Sequence, residues 1–209
     1  MISLTVTVLG SGTMGQGIAQ VAAQSGHTTR VFDAADGRAK AAVAAIAGQV
    51  EKLVAKNKIT NDVRAGALNR LSAATSAPLA CAGADVVIEA VPEDMALKIK
   101  VLSEVLPSAD KNAIVASNTS SLSLTELGQK LGIPDRTIGL HFLHPPPVME
   151  LVEVVRGLGT SEDTLARALG FVKGLGKTPI IVRDVPGFAT SRLGVILGCE
   201  AMRMLESGV

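Results

Sequence analysis

Gly10-Ser11-Gly12-Thr13-Met14-Gly15 restricts the fold of this chain more than any other segment. It follows a stretch in which Ile2, Leu4, Val6 and Val8 alternate with Ser3, Thr5 and Thr7, a period of two that predicts a β-strand. It opens a stretch with Met14, Ile18, Val21 and Ala22 at helical spacing, closed by Gly26 where a helix C-cap belongs. A second strand is expected around Thr28 to Phe32, ending at Asp33, 18 residues after Gly15. The glycine triplet alone is weak, because 21 glycines in 209 residues make chance matches easy and a ligand-free tight turn explains two of them. Strand, turn, helix and acidic residue in this order complete a dinucleotide-binding fingerprint.

Each position of the fingerprint has a physical reason. Gly10 permits the turn, Gly12 lets backbone approach a pyrophosphate, and Gly15 lets helix and strand pack closely. The helix N-terminal amides, at Thr13 and Met14, then face the phosphates. Asp33 is expected to accept hydrogen bonds from the adenosine ribose hydroxyls and to repel a 2′-phosphate, which favours NAD over NADP as cofactor. Arg38, five residues on, reads as solvated.

Further along, Val43, Ile46, Val50, Leu53 and Val54 mark one face of a long Ala-rich helix with Asp36 as its expected N-cap, and Asn61 or Asp62 is expected to cap the next. Asp85 to Val91 and Ala113 to Ala116 are nearly continuous apolar runs, the pattern of strands covered on both faces. With helices expected over 94–106 and 123–131, strand and helix alternate through the first 130 residues. That alternation predicts an α/β fold built on a Rossmann-type doubly wound, mostly parallel sheet. Thr137 to Phe142 and Met149 to Val155 are also strand-like. His144-Pro145-Pro146-Pro147 between them is too short for a crossover helix, which predicts an antiparallel edge. A helix from Ser161 to about Leu175, a strand over Thr178 to Val182 and, after Pro186-Gly187, a helix from about Phe188 to Glu206 complete the reading. The last helix is apolar almost all round, the pattern of a helix that something else buries. The expected division is therefore a cofactor-binding domain over 1–186 and, over 187–209, the first helix of a truncated C-terminal helical domain.

Composition narrows the partners. A net charge of +1, 19% charged residues and no basic run argue against nucleic acid and against an anionic membrane surface. No apolar run approaches the ~18 residues needed to span a bilayer, and the N-terminus opens on a strand pattern with no basic leader. Only Cys81 and Cys199 are present, too few for a disulfide framework or a zinc site, so no metal is expected and a reducing, cytoplasmic compartment is. A small-molecule ligand is the expected partner.

His141 closes a predicted strand and Glu153 lies twelve residues on in the returning strand, so one hairpin can bring the two side chains into contact. An imidazole with a carboxylate partner is a suitable base for taking a proton from an alcohol while hydride leaves its carbon. On spacing alone, a hydrogen-bonded core histidine beside an edge-strand charge is an equally good reading.

Six ordered segments decide between them. Val8 to Ala19, Val87 to Asp94, Ser117 to Leu122, Gly139 to Phe142, Pro147 to Val155 and Asp184 to Phe188 resemble the L-3-hydroxyacyl-CoA dehydrogenase family, including its 3-hydroxybutyryl-CoA members. The resemblance spans essentially the whole chain, while family members continue into a helical C-terminal region that contributes to substrate binding and dimer formation. It implies NAD-dependent oxidation of (S)-3-hydroxyacyl-CoA to 3-ketoacyl-CoA in either direction, as in fatty-acid β-oxidation. It also implies an acyl-CoA thioester substrate and a homodimer formed through the C-terminal region where that is present. Residue by residue, it implies His141 as catalytic base, Glu153 as its carboxylate partner and Ser120 as the hydroxyl that meets the substrate's C3 oxygen. Glu93 and Lys98 become cofactor contacts, Lys56 a contact to the CoA phosphates, and Asn118 a further cofactor candidate. Taken singly, Lys56 and Lys98 are ordinary solvated helix lysines.

Two positions depart from the family pattern. His144 stands where the family has Asn three residues after its catalytic His, and Ser191 where it has Asn before the Arg of the last helix. Both can still hydrogen-bond with a different reach, so both are catalytic candidates, His144 also at the cofactor. Two other readings stay open: an NAD-dependent dehydrogenase of a non-thioester hydroxy acid, and a catalytically silent NAD-binding or structural protein.

Overall fold

The computed structural model describes residues 3–209, so the predicted strand position Ile2 lies outside the described residues. β1 (Thr5–Leu9) runs through the glycine turn into α1 (Thr13–Gln24), and the chain returns through Gly26, at φ +96°, to β2 (Thr28–Phe32). α2 (Arg38–Ala55) buries Ala39, Ala42, Ile46 and Val50. Its N-cap is Gly37 at φ +73° and not Asp36, because the turn leaving β2 needs a left-handed residue there and only glycine takes that conformation freely. α3 (Asn61–Arg70) is capped by the Thr60 hydroxyl, which accepts from the Val63 amide at 3.3 Å, so Asn61 and Asp62 fall inside the first turn. β3 (Leu71–Ala73) and α4 (Ala77–Cys81), too short for a periodic signal, come next.

β4 (Val86–Glu89), α5 (Met95–Val105), β5 (Ile114–Ser117) and α6 (Leu124–Leu131) continue the alternation, with Asp94 and Ser123 capping the two helices as acceptors from the Leu97 and Glu126 amides. β6 (Thr137–Phe142) and β7 (Leu151–Arg156) pair antiparallel, α7 (Glu162–Gly174) starts at Ser161, and β8 (Thr178–Arg183) returns parallel to β7. α8 (Thr190–Glu206) then leaves the sheet.

The eight strands lie in the order β3-β2-β1-β4-β5-β6-β7-β8, and β6–β7 is the antiparallel pair among otherwise parallel neighbours. Every residue of β4, β5 and β6 is buried, which explains their unbroken apolar runs: helices cover both faces. One core layer gathers Ile18, Ile46 and Phe171 from α1, α2 and α7, and the other gathers Cys81, Leu102 and Leu127 from α4, α5 and α6. The chain reverses its direction of travel across the sheet between β1 and β4, which opens a crevice at their C-terminal ends where such sheets receive ligands. No residue of α8 is buried, and Leu193, Leu197, Met202 and Leu205 stand exposed on it. Among the described residues, no helix is long and apolar enough to cross a membrane and no group of His, Cys, Asp and Glu is arranged to hold a metal ion.

Candidate active site

The glycine turn separates into two kinds of glycine. A Cβ on Gly10, which has φ +99°, would sit 2.6 Å from the Ala90 carbonyl oxygen, and one on Gly15 would sit 1.9 Å from the Gly10 carbonyl oxygen. The chain's own packing demands both. Gly12 has an ordinary φ of −68°, and nothing lies within 4 Å of a Cβ built on it. α1 moreover begins at Gly12 with no side-chain cap and no acid in its first turn, so the amides at Thr13 and Met14 keep their hydrogen-bonding capacity at the positive end of the helix dipole. Open space before unspent amides fits a pyrophosphate.

Asp33 at the end of β2 is held by this turn: its Oδ2 accepts from the Ser11 amide at 2.9 Å and the Ser11 hydroxyl at 2.5 Å, and its Oδ1 accepts from the Ala35 amide at 3.0 Å. Burial alone would raise its pKa, but these hydrogen bonds and the nearby Arg38 charge outweigh that and hold the carboxyl below the usual range. An anion with acceptor capacity left on Oδ1 suits ribose hydroxyls. It borders a cavity of about 460 Å³ with Gly12, Phe32 and Arg38, so Arg38, although exposed, faces the same space.

Ala90 and Val91, just past β4, join this cavity to a second cleft of about 560 Å³. His141 and Glu153 meet in its wall. They are direct partners in the β6–β7 ladder, with Nδ1 and Oε2 2.6 Å apart. Glu153 is fully buried, yet burial, which would raise its pKa, is outweighed by hydrogen bonds from His141, from the Thr190 hydroxyl and from the Thr190 and Ala189 amides, which hold it below the usual range. An ionised Glu153 requires Nδ1 to donate, which leaves Nε2 as the acceptor on a ring that lines the cleft. The break at Pro186-Gly187 seats Phe188 edge-on to that ring, centroids 5.8 Å apart.

Ser120, Asn118, Glu93 and Lys98 line the same cleft. Glu93 Oε1 accepts from the Thr119 hydroxyl at 2.5 Å, the Ser120 amide at 2.9 Å and the Ser120 hydroxyl at 3.3 Å. Lys98 is buried, not solvated: its ammonium contacts Glu89 Oε1 at 2.8 Å, Glu93 Oε2 at 3.2 Å and the Val91 carbonyl at 3.3 Å. Three acceptors use all three donors of an ammonium, so Lys98 acts on this site through Glu93. Glu89, fully buried and also accepting from the Ser117 hydroxyl at 2.6 Å, is a site residue that sequence reading missed. Asn118 Oδ1 accepts from the Phe142 amide at 2.9 Å and so ties the end of β5 to β6.

Met14, His144 and Ser191 also line the cleft, and His144 belongs as well to a groove of about 770 Å³ that continues past Thr13, Gln20, Gln49 and Lys58. Gln20 is buried there, and its Oε1 has no partner among the described residues. Lys56 is exposed and does not line the groove; Lys58 does. The reason is a helix-ending motif in which the Asn57 amide bonds the Val54 carbonyl and the Lys58 amide bonds the Leu53 carbonyl, with Asn57 left-handed at φ +53°. Asn57 was the legible signal for it.

Over residues 5–185 the chain matches the family described as 3-hydroxyacyl-CoA dehydrogenase, NAD binding domain. It is 38% identical over 204 residues to a probable 3-hydroxybutyryl-CoA dehydrogenase of Bacillus subtilis, covering 98% of this chain and 71% of that protein. It is 40% identical over 209 residues to the mitochondrial hydroxyacyl-coenzyme A dehydrogenase of Sus scrofa, covering 97% of this chain and 66% of that one. The crystal structure of (S)-3-hydroxybutyryl-CoA dehydrogenase from Ralstonia eutropha is similar with a TM-score of 0.94 at 41% identity, over 99% of this chain and 73% of that chain. The chain thus spans 66% to 73% of the length of these three proteins.

Proposed function

The chain belongs to the 3-hydroxyacyl-CoA dehydrogenase family, matching it through the NAD-binding domain, and on that premise we propose that it carries the site at which (S)-3-hydroxyacyl-CoA is oxidised reversibly to 3-ketoacyl-CoA. The observation that carries this reading is the His141–Glu153 pair, 2.6 Å apart in the wall of the cleft. When bound, NAD would supply the hydride acceptor for C3. His141 Nε2 takes the proton of the C3 hydroxyl, the ionised Glu153 stabilises the resulting imidazolium, and in the reductive direction the same nitrogen returns the proton. Ser120 Oγ hydrogen-bonds the C3 oxygen, and Glu93, anchored by Lys98, keeps the Ser120 turn in place. His144 and Ser191 supply further polar contacts to the substrate.

On the cofactor side, the amides at Thr13 and Met14 and the open face of Gly12 hold the pyrophosphate, and Asp33 holds the ribose. The groove leaving His144 suits the amide-bearing arm of a CoA thioester: its glutamines offer donors and acceptors, and Lys58, better placed than Lys56, offers a cation for phosphate. Residues 1–186 then form the cofactor domain, and 187–209 begin a second, helical one.

The test is steady-state oxidation of NADH with acetoacetyl-CoA by the natural full-length protein. His141→Gln and Glu153→Gln are each expected to lower kcat by about 10²–10⁴-fold while NADH affinity, followed by its fluorescence, is kept. Wild-type turnover in both variants would remove His141 as the base.

A further inference from the structure

We propose that Thr190 is a positioning residue of the His141–Glu153 pair, its hydroxyl donating to the same carboxylate oxygen that holds the imidazole and so setting how strongly that ring holds a proton. The proposal rests on the reading of His141 as the base. Thr190 Oγ1 lies 2.7 Å from Glu153 Oε2, the atom that is also 2.6 Å from His141 Nδ1. The other carboxylate oxygen, Oε1, takes the Ala189 amide at 2.9 Å and the Thr190 amide at 3.0 Å, the amides of the N-cap and first residue of α8. Four donors therefore fill the roughly four lone-pair sites of a fully buried carboxylate. An ionised carboxylate only accepts, so the Thr190 hydroxyl is necessarily a donor here.

Two donors on one oxygen compete. The positive end of the Thr190 hydroxyl dipole stands beside the imidazole N–H, draws electron density from Oε2, weakens the His141–Glu153 hydrogen bond and opposes charge on the ring. The β6–β7 ladder alone puts His141 opposite Glu153, whereas Thr190 arrives from α8, outside the sheet. The proton affinity of the base is thus set partly by where α8 begins. The charged and titratable groups around the ring are Glu153 from β7, against its Nδ1, and His144, Glu93 and Lys98, which line the same cleft; replacing the Thr190 side chain removes none of these groups and reaches the ring through Glu153 alone.

With three histidines in the chain, His27, His141 and His144, ring signals are readily assigned by His141→Gln in NMR spectra of the natural full-length protein. In Thr190→Val, the His141 Nδ1 proton is expected to move further downfield and the pH midpoint of the ring signals to rise by about half a pH unit, one hydrogen bond's worth of differential interaction. Thr190→Ser restores both, and Thr190→Ala gives the same reading as Val should the valine variant fold poorly. A Thr190 that served only to start α8 would lower Tm without moving either signal, and unmoved signals in Val and Ala overturn the proposal. The acid limb of the pH profile for alcohol oxidation should follow the ring signals. If the signals move and the limb does not, the coupling through Thr190 stands and the assignment of His141 as base falls.

Discussion

A methyl group at Gly15 and a methyl group at Gly12 have opposite consequences. At Gly15 it would lie 1.9 Å from the Gly10 carbonyl oxygen, and the backbone of the turn must move. Overpacking of this kind costs about 1–3 kcal/mol, so Gly15→Ala is expected to lower Tm by about 2–12 °C in a thermal melt. At Gly12 the methyl group meets nothing of the protein. Gly12→Ala should keep the wild-type Tm and lose NADH affinity, because the added carbon stands where the pyrophosphate approaches; unchanged NADH binding would place the phosphates elsewhere. The fingerprint gives the three glycines different duties, and what surrounds each one shows which of them the protein's own packing demands: Gly10 and Gly15, but not Gly12. Lys98 teaches the same lesson: a lysine on a helix reads as solvated until Glu89 and Glu93 are found around its ammonium.

Between elements, one contact fixes the segment that carries His144. A Cβ on Gly17 in α1 would stand 2.7 Å from Pro146 Cδ, so the turn between β6 and β7 rests directly on that helix. Gly17→Ala gains helix propensity of about 1 kcal/mol yet pushes the turn outward, and with it the junction between cleft and groove. We expect a raised KM for acetoacetyl-CoA with NADH affinity retained, measured by steady-state kinetics and fluorescence titration; equal losses in both would place the effect in α1 itself. At this scale sequence reading succeeded where an element carries its own repeat or start signal, as in β1, α1 and the start of α7 at Ser161. It failed where the element is shorter than a period, as in β3 and α4, or where backbone sign overrides side-chain preference, as at Gly37 beside Asp36.

Across the whole molecule, Asp33, Glu93 and Glu153 are three carboxyls that burial would raise and that hydrogen bonds, joined at Asp33 and Glu93 by a nearby positive charge, hold below the usual range. Their folded-state pKa values lie below the unfolded ones, so on acidification the unfolded chain binds protons first. The stability they contribute is complete above the ordinary carboxylate range, about 4, and is lost as pH falls through the folded values. Calorimetry should show Tm falling below about pH 4, with a shallower fall in Glu153→Gln; an unaltered slope would mean that Glu153 contributes nothing to it. By itself the sequence determined the Rossmann half of the fold and its glycine turn, and it made a His141–Glu153 contact within one hairpin possible, since these rest on contiguous patterns; the ladder register then set the pair. Only the tertiary structure decided that Lys98 is locked between Glu89 and Glu93, that Lys58 faces the groove in place of Lys56, and that Thr190 reaches Glu153 across 37 residues. Periodicity and turn chemistry are properties of neighbours along the chain, whereas the partner of a buried polar atom depends on where the sheet and its helices bring distant segments together.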